Sequence, residues 1–389
     1  MEIALPTGLD KTLDFEQGPI RPPSEARSLL LRFSRNCPWN KCKFCPVYKG
    51  SRFSRRGLDE IKADIDAAAE MARQIDQLSW RMGHGGRMTD EVVNAVFGDP
   101  GIGDAFRNVA AWLYYGTGNV FLQDANNLII EPETLAQALR YLRQRLPQVK
   151  RVTTYARSSS AARRSVEELR MLNDAGLDRI HVGMESGCDQ VLAFMKKGVS
   201  QAQQIQAGRN IKQAGIELSE YVMPGLGGKK WTTQHAIDTA HALNQINPDF
   251  IRLRSLRVPG RVELHDDLAQ GRFEKLSEDE MAAEIRLFIS ELDGIDSTVT
   301  SDHIMNLIET VSGRLPQDKG LMLAKLDDYL ALPPRQRLIY RLCRRMGRCR
   351  EPEDIDRLGL RPQLEAILAD VEQRGDPDQI LSDMADGFI

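Results

Sequence analysis

Three cysteines fall within nine residues near the start of this 389-residue chain, at Cys37, Cys42 and Cys45. They follow an apolar run, residues 28–35, of the length typical of a buried strand. In a chain that shows no export signal, such a cluster favours a metal or catalytic site over a disulfide framework. Three thiolates from one loop can hold three corners of an iron–sulfur cubane, which leaves one iron open for a further ligand.

A structural zinc ion is the alternative, but it would need a fourth ligand. The candidates are Cys188, Cys343, Cys349 or one of six histidines, all distant in the sequence. Cys188 stands where a helix is predicted to begin, and we interpret it as a small half-buried residue rather than a ligand. The three other cysteines are too few for a second cluster, so the sequence predicts one cluster per chain.

The composition excludes several classes of protein. With 42% hydrophobic and 28% charged residues, the chain is neither collagen-like, nor of low complexity, nor largely disordered. Its 52 basic and 55 acidic residues give a formal charge of −3, which does not favour nucleic acid or an anionic membrane as a partner. No apolar run approaches the roughly 18 residues of a spanning helix. Without a recognisable signal peptide, we expect a cytoplasmic protein with no membrane contact.

Six predicted strands alternate with helices, and this pattern indicates a parallel sheet. The pattern fits an open doubly wound sheet or a barrel, and six strands fall short of a closed eight-stranded barrel. We expect an α/β fold, a partial (β/α)6 TIM-type barrel with a helical C-terminal region. We expect an irregular lead-in over 1–27, the barrel over 28–258 and the helical region over 259–389. The cysteine loop then lies at the carboxyl end of the first strand, where such folds place their active sites. The predicted strands lie within 28–35, 119–127, 150–156, 178–186, 216–228 and 249–258, where 119–127 and 216–228 each also include a loop. The predicted C-terminal helices are 277–292, 302–313, 317–331, 334–347 and 352–374.

The cysteine loop resembles that of the radical S-adenosylmethionine (radical SAM) superfamily, whose usual spacing is C-x3-C-x2-C with an aromatic residue before the last cysteine. Here the spacing is C-x4-C-x2-C, and Phe44 is that aromatic. The stretch from His181 to Gly198 is also similar to the Gly-Leu-Glu-Ser-Gly and Met-Lys-Lys-Gly segments of many members. The resemblance covers roughly residues 28–258 and implies that Cys37, Cys42 and Cys45 bind a [4Fe–4S] cluster.

The resemblance also implies residues for SAM. The superfamily's Gly-Gly-Glu-Pro motif, which holds the SAM amino group, aligns with a degenerate stretch in which Asp124 and Asn126 are the candidates. Glu185 stands at the position of the ribose ligand, Arg157 is the candidate for the SAM carboxylate, and Gly225 lies in the loop expected near the adenine.

The implied function is reductive cleavage of SAM by the reduced cluster, giving a 5′-deoxyadenosyl radical that abstracts hydrogen from an unidentified substrate. The alternative is a non-catalytic or electron-transfer protein with an iron–sulfur or zinc site, which the degenerate motif favours. A reductant such as flavodoxin or ferredoxin is the expected partner.

Two further features could serve the substrate. The segment 335–350 holds seven arginines and no acid, which predicts either a solvated helix face or a docking site for an anionic partner, RNA included. His84 and His303 could point into a cavity, although a lone histidine is more often structural.

Overall fold

The computed structural model describes residues 8–386 and groups them into two compact units. The first unit comprises residues up to 38, 50–181 and 213–217, and the second comprises 39–49, 182–212 and the chain from 218 onward. The cysteine loop is therefore shared, because Cys37 belongs to the first unit and Cys42 and Cys45 to the second. The predicted domain division at residue 258 stays a prediction.

The first unit begins with a 3-10 turn at Pro23–Glu25 and contains parallel strands covered by helices. Strand β4 pairs in parallel with β1, where Leu31 faces Leu122, and with β5, where Phe121 faces Thr153. Strands β2 and β3 form a short antiparallel pair. In chain order the elements are β1 (Leu29–Arg32), β2 (Ser34–Arg35), β3 (Ser54–Arg55), α1 (Leu58–Arg81), α2 (Asp90–Gly98), α3 (Asp104–Tyr115), β4 (Asn119–Gln123), α4 (Pro132–Arg145), β5 (Arg151–Ala156), α5 (Ser158–Ala161), α6 (Val166–Asp174) and β6 (Arg179–Glu185), whose last four residues lie in the second unit.

The second unit continues the alternation and then becomes mainly helical. Strand β8 pairs in parallel with β7 and β9, and β10 runs antiparallel to β9. The elements are α7 (Asp189–Phe194), α8 (Gln201–Gln213), β7 (Glu217–Val222), α9 (Gly228–Ile246), β8 (Phe250–Leu253), α10 (Glu263–Ala269), α11 (Glu278–Glu291), β9 (Thr298–Thr300), β10 (Gly313–Arg314), α12 (Lys319–Ala331), α13 (Pro334–Arg345), α14 (Asp354–Arg357), α15 (Arg361–Arg374) and α16 (Pro377–Asp386).

The predicted α/β class is confirmed: all six expected strands are present, helices separate them, and the C-terminal region is mostly helical. Two expectations were wrong. The segment 302–313 is not helical, because Asn306 hydrogen-bonds to Ser255 and Ser301 and holds that stretch as turns. The C-terminal region also contains β9 and β10, which are too short to show a strand period in the sequence.

A third difference concerns α7: the sequence 189–198 predicts a helix that Gly198 ends, and the helix instead ends at Phe194. Lys196 adopts a left-handed conformation, with φ of +53°. The amide of Lys197 donates to the carbonyl of Leu192 at 2.9 Å, and the amide of Lys196 donates to Ala193. This is a Schellman ending, which stops the helix before the glycine and turns the chain back.

Candidate functional site

The part of the cysteine loop that carries Cys42 and Cys45 is fixed on both sides of Lys43. The Lys43 amide donates to the carbonyl of Met195 at 3.1 Å, and its carbonyl accepts from the amide of Leu264 at 3.0 Å. Two backbone hydrogen bonds on one residue leave little freedom for the neighbouring thiols. These bonds therefore restrain the backbone between Cys42 and Cys45.

The side chain of Lys43 adds a buried ion pair. Its ammonium lies 2.7 Å from the carboxylate of Asp267 and 4.2 Å from the centre of the Phe194 ring. Burial alone would raise the pKa of Asp267, but hydrogen bonds from Lys43 and Arg272 hold it below its usual range. Asp267 thus stays ionised and keeps Lys43 in place.

Phe44 and Trp39 anchor the same segment by packing. Phe44 lies against an apolar cluster that includes Cys188 and Phe273. The indole nitrogen of Trp39 donates to the carbonyl of Lys196 at 2.7 Å, and the ring lies so close to Gly198 that a Cβ there would overlap it. Gly198 therefore serves the approach of Trp39 rather than the end of a helix.

Cys37 follows a turn that a buried carboxylate holds. Asn36, immediately before it, has φ of +65° and donates its amide to Asp124 Oδ2 at 3.0 Å. Arg32 donates its Nε to the same oxygen at 2.7 Å. The side chain of Asp124 is fully buried, and within residues 8–386 its other oxygen, Oδ1, has no hydrogen-bond partner. Gly18 packs against Oδ1 so closely that a Cβ would overlap it.

A second acid, Glu16, supports this turn from the N-terminal lead-in. Its carboxylate accepts hydrogen bonds from Arg32 at 2.8 Å and from Arg35 at 2.8 Å. Partial burial acts against ionisation, yet the hydrogen bond from Arg35 and the charge of Arg56 lower the pKa of Glu16. Nothing in the local sequence pattern pointed to Glu16, because its partners are in β1 and β2 and not beside it in the chain.

The two remaining candidates in the first unit lie together. Asn126 is fully buried and donates its Nδ2 to the hydroxyl of Ser160 at 2.8 Å. Its Oδ1 accepts from the backbone amide of Arg157 at 3.1 Å. Asn126 therefore joins the loop after β4 to the loop after β5, and both ends of its amide are engaged within the protein.

In the second unit, Glu185 ends β6 with φ of +65°, and its Oε1 accepts from Lys197 Nζ at 3.1 Å. Gly225 follows β7 with φ of +85°, and its amide donates to Glu284 Oε1 at 2.6 Å. The left-handed backbone favours glycine here, and a Cβ on Gly225 would lie 2.9 Å from Met281 Cε, at the flexible end of that side chain.

A buried histidine, which the sequence analysis missed, connects the ends of β6 and β7. Nδ1 of His235 lies 2.8 Å from the hydroxyl of Ser186, and its Nε2 lies 3.2 Å from the carbonyl of Met223. One turn later on α9, the hydroxyl of Thr239 accepts from the amide of Gly187 at 2.8 Å. The sequence pattern that could have revealed this site is a histidine and a threonine one turn apart on the buried face of a helix.

Of the other cysteines, Cys188 lies in the apolar cluster that Phe44 contacts, and Cys343 and Cys349 lie at the end of α13. Cys188 is buried, its thiol donates to Gln190 Oε1 at 3.1 Å, and burial raises its pKa. This environment fits the structural interpretation. Cys343 and Cys349 form a disulfide across the end of α13.

The two histidines named in the sequence analysis, His84 and His303, contact groups within the protein. Nε2 of His84 lies 3.1 Å from the carboxylate of Glu91. His303 accepts a hydrogen bond from the amide of Met305 at 3.3 Å, and burial together with the nearby Arg254 lowers its pKa to about 4. His303 is therefore neutral near pH 7.

The arginine-rich helix α13 is not a solvated face, as one interpretation expected. Arg341, Arg344 and Arg345 are buried, and each pairs with an acid. The side chains of the segment 335–350 contact partners within the chain: Arg335 contacts Glu365 and Glu372, Arg337 contacts Asp279, Arg341 contacts Asp378, Arg344 and Arg350 contact Glu309, Arg345 contacts Glu278, and Arg348 contacts Gln363.

Among the helices of residues 8–386, none combines the length and the hydropathy of a bilayer-crossing segment.

Comparison with known proteins finds a matching family model. A family model described as the Radical SAM superfamily matches residues 104–240. This range contains Asp124, Asn126, Arg157, Glu185 and Gly225, and the cysteine loop lies before it.

Two curated relatives are tRNA uridine(34) acetyltransferases. The protein from Methanocaldococcus infernus is 25% identical over 117 residues, which are 30% of this chain and 22% of the relative. The protein from Methanocaldococcus jannaschii is 23% identical over 115 residues, 29% of this chain and 21% of the relative. The chain thus spans about a fifth of the length of these relatives.

Solved structures with some likeness include archaeal Elp3 from M. infernus, with 15% identity and a TM-score of 0.41 over 70% of this chain and 61% of that one. Another is coproporphyrinogen III oxidase from Escherichia coli, described as a radical SAM enzyme, with 13% identity and a TM-score of 0.44 over 68% and 52% of the two chains. The family model covers residues 104–240, and this part of the chain, with its α/β alternation, is similar to the radical SAM superfamily.

Proposed function

We propose that Cys37, Cys42 and Cys45 hold a [4Fe–4S] cluster and that the protein uses it to cleave SAM reductively. The observation that carries this proposal is the three-cysteine loop, which follows the first strand of a chain whose later residues match the superfamily. The donor set fits the group, because soft thiolates select iron–sulfur clusters and three of them leave one iron for SAM. The hydrogen bonds that hold Lys43 support a preformed loop.

When bound, the cluster supplies one electron that breaks the carbon–sulfur bond of SAM, and the resulting 5′-deoxyadenosyl radical takes hydrogen from the substrate. The residues of this chain bind and orient SAM and exclude water from the reaction. Glu185 is assigned to the ribose hydroxyls, Arg157 to the SAM carboxylate, and the backbone at Gly225 to the adenine. Phe44 packs beside the cluster ligands.

For the SAM ammonium we choose Asp124 over Asn126. Both ends of the Asn126 amide already have protein partners, whereas Oδ1 of Asp124 has none among the described residues. A carboxylate is also the stronger partner for an ammonium group. Because Gly18 lies against Oδ1, this assignment requires the segment around Gly18 to move when SAM binds.

The second candidate is an iron–sulfur or zinc protein without SAM chemistry, such as an electron carrier. The observation that favours it is the structural use of Asn126 at the glutamate position of the superfamily motif. The substrate is unidentified. What stays a prediction is a reductant of the flavodoxin or ferredoxin type, contact with nucleic acid, and a cytoplasmic location without membrane contact.

Anaerobic reconstitution tests the proposal. We expect about four irons per chain, the cluster's absorbance and 5′-deoxyadenosine once reductant and SAM are added. A chain with Cys37, Cys42 and Cys45 changed to alanine that still takes up a full cluster would refute the ligand assignment. An intact cluster that yields no 5′-deoxyadenosine would favour the second candidate.

A further inference from the structure

Two arginines lie on one face of the sheet that β7, β8 and β9 form, and the protein uses them differently. Arg252 is aligned with Tyr221 on β7 and with Thr300 on β9. Arg254 follows two residues later, and its amide still donates to the carbonyl of Val222 at 2.9 Å, so it points to the same face just beyond the end of β8. The carboxyl ends of parallel strands are the places where α/β folds bind ligands.

Arg252 serves the sheet. It is buried, its Nε donates to the hydroxyl of Ser219 at 3.0 Å, and its Nη1 donates to Thr300 Oγ1 at 3.4 Å. These hydrogen bonds join β8 to both neighbouring strands, which explains Arg252 without a ligand.

Arg254 makes no such bonds to the neighbouring strands. Its Nη1 donates to the carbonyl of Leu253 at 2.8 Å and to Asp302 Oδ1 at 3.1 Å, and its guanidinium lies 5.1 Å from the centre of the Tyr221 ring. Its Nη2 is buried and has no hydrogen-bond partner within residues 8–386. A buried donor without a partner is costly, and a ligand that accepts a hydrogen bond from it removes that cost.

The charge of Arg254 is also only partly compensated. In the described part of the chain, Asp302 is the acid that pairs with it, and the same carboxylate lies 3.6 Å from Arg252. One half-exposed carboxylate thus faces two guanidinium groups. The next residue, His303, adds no charge near pH 7, because burial and the charge of Arg254 lower its pKa to about 4. The excess of positive charge favours an anion at this place.

The backbone on both sides of Arg254 is held by one side chain. Asn306 donates its Nδ2 to the carbonyl of Leu253 at 2.9 Å, and its Oδ1 accepts from the amide of Ser255 at 3.0 Å. These bonds come from the turns of 302–313. They restrain the position from which the guanidinium extends, and such preorganisation favours binding.

We propose that Arg254 binds an oxyanion of the substrate, a carboxylate or a phosphate group, through its planar guanidinium. The amide of Leu256 donates to the carbonyl of Pro224 at 2.8 Å, so the chain at Arg254 runs beside the loop that carries Gly225, which is assigned to SAM. Asp302 occupies part of the guanidinium until the anion displaces it. The inference rests on the proposed function and adds the chemical class of the substrate.

Inorganic phosphate and acetate are the probes, and equilibrium dialysis of the reconstituted protein at low ionic strength measures their Kd. In Arg254→Gln we expect the Kd of the bound anion to rise about tenfold, since charge-assisted hydrogen bonds are lost, and the Kd for SAM to stay within twofold. Asp302→Asn should lower the Kd of the anion, because it removes the competing carboxylate. The matched control is Arg286→Gln, which removes a half-exposed pair with Asp327 and should change none of these values. Tighter binding of phosphate than of acetate would assign a phosphate group, and the reverse a carboxylate.

Wild-type protein that binds neither anion, or Arg254→Gln protein that binds them as the wild type does, would overturn the inference. Weaker binding of SAM by Arg254→Gln would also overturn it, since Arg254 would then be a SAM ligand. If that variant takes up no cluster, Asp302→Asn answers the question, and an unchanged Kd for both anions would contradict the proposal. The anions are measured without SAM, so they can bind even if the wild type forms no 5′-deoxyadenosine. The failure of the proposed function is thus distinguishable from the failure of this inference.

Discussion

Polar residues end both β4 and β6, but they are used in different ways. After β4, Asp124 receives hydrogen bonds from Arg32 and Asn36, and Asn126 is engaged at both ends of its amide. After β6, Glu185 has one cation on one oxygen. Asn126 and Oδ2 of Asp124 order backbone turns, whereas Glu185 and Oδ1 of Asp124, which has no partner within residues 8–386, keep hydrogen-bonding capacity for a ligand. A polar residue at a strand end is thus a candidate ligand only if the protein does not already satisfy it.

The largest effect should come from separating Arg32 from Asp124. Because Asp124 is fully buried, Arg32→Met leaves an uncompensated charge, and we expect a loss of about 3–5 kcal/mol in the free energy of unfolding. Urea unfolding of the reconstituted protein measures it. The control is Arg73→Met, which removes a surface pair with Glu70 and should cost at most about 1 kcal/mol. Similar losses in both variants would show that Asp124 does not depend on Arg32.

His303 gives a prediction of how the free energy of unfolding depends on pH. Its pKa is about 4 in the folded protein, against about 6.5 in an unfolded chain. Between these values only the unfolded chain binds the proton, so this contribution to stability is complete above about pH 6.5. It is lost as the pH falls toward 4, by up to about 3 kcal/mol.

The measurement is urea unfolding at several pH values between 7.5 and 4.5. The wild type should lose stability more steeply on acidification than His303→Gln, whose side chain does not titrate. Parallel curves for the two proteins would contradict the buried, neutral state of His303.

Asn126 supplies a smaller test. Ser160→Ala leaves the buried Asn126 Nδ2 without its acceptor, which should cost about 1–3 kcal/mol of stability. If Asn126 is structural, the Kd for SAM should stay within twofold of the wild type. Ser159→Ala, on the same turn, is the control and should change neither quantity. A large loss of SAM affinity without loss of stability would instead make Asn126 a ligand.

The sequence predicts the strand alternation because buried strands and amphipathic helices each leave a local period. It also locates the cysteines, since a cluster of one residue type is visible without a structure. It could not predict Lys197 as the partner of Glu185, because that contact depends on where α7 ends, and Gly198 suggested a later end. The short β9 and β10 leave no period to read.

The arginine-rich segment 335–350 shows a second limit of prediction from the sequence. The sequence predicts a helix over 334–347, and the chain forms α13 over Pro334–Arg345 with Ile339, Leu342 and Cys343 buried. The partners of its arginines, such as Glu309 for Arg344 and Asp378 for Arg341, come from distant positions whose pairing no local pattern reveals. Charge density along the sequence therefore says little about charge available at the surface.

The most direct measurement of the central claim is the amount of 5′-deoxyadenosine that reconstituted, reduced protein forms from SAM under anaerobic conditions. We predict formation by the wild type and by Cys188→Ala, and none by the chain with Cys37, Cys42 and Cys45 changed to alanine. Wild-type protein with about four irons per chain and no 5′-deoxyadenosine would contradict the claim, as would continued formation by the triple variant.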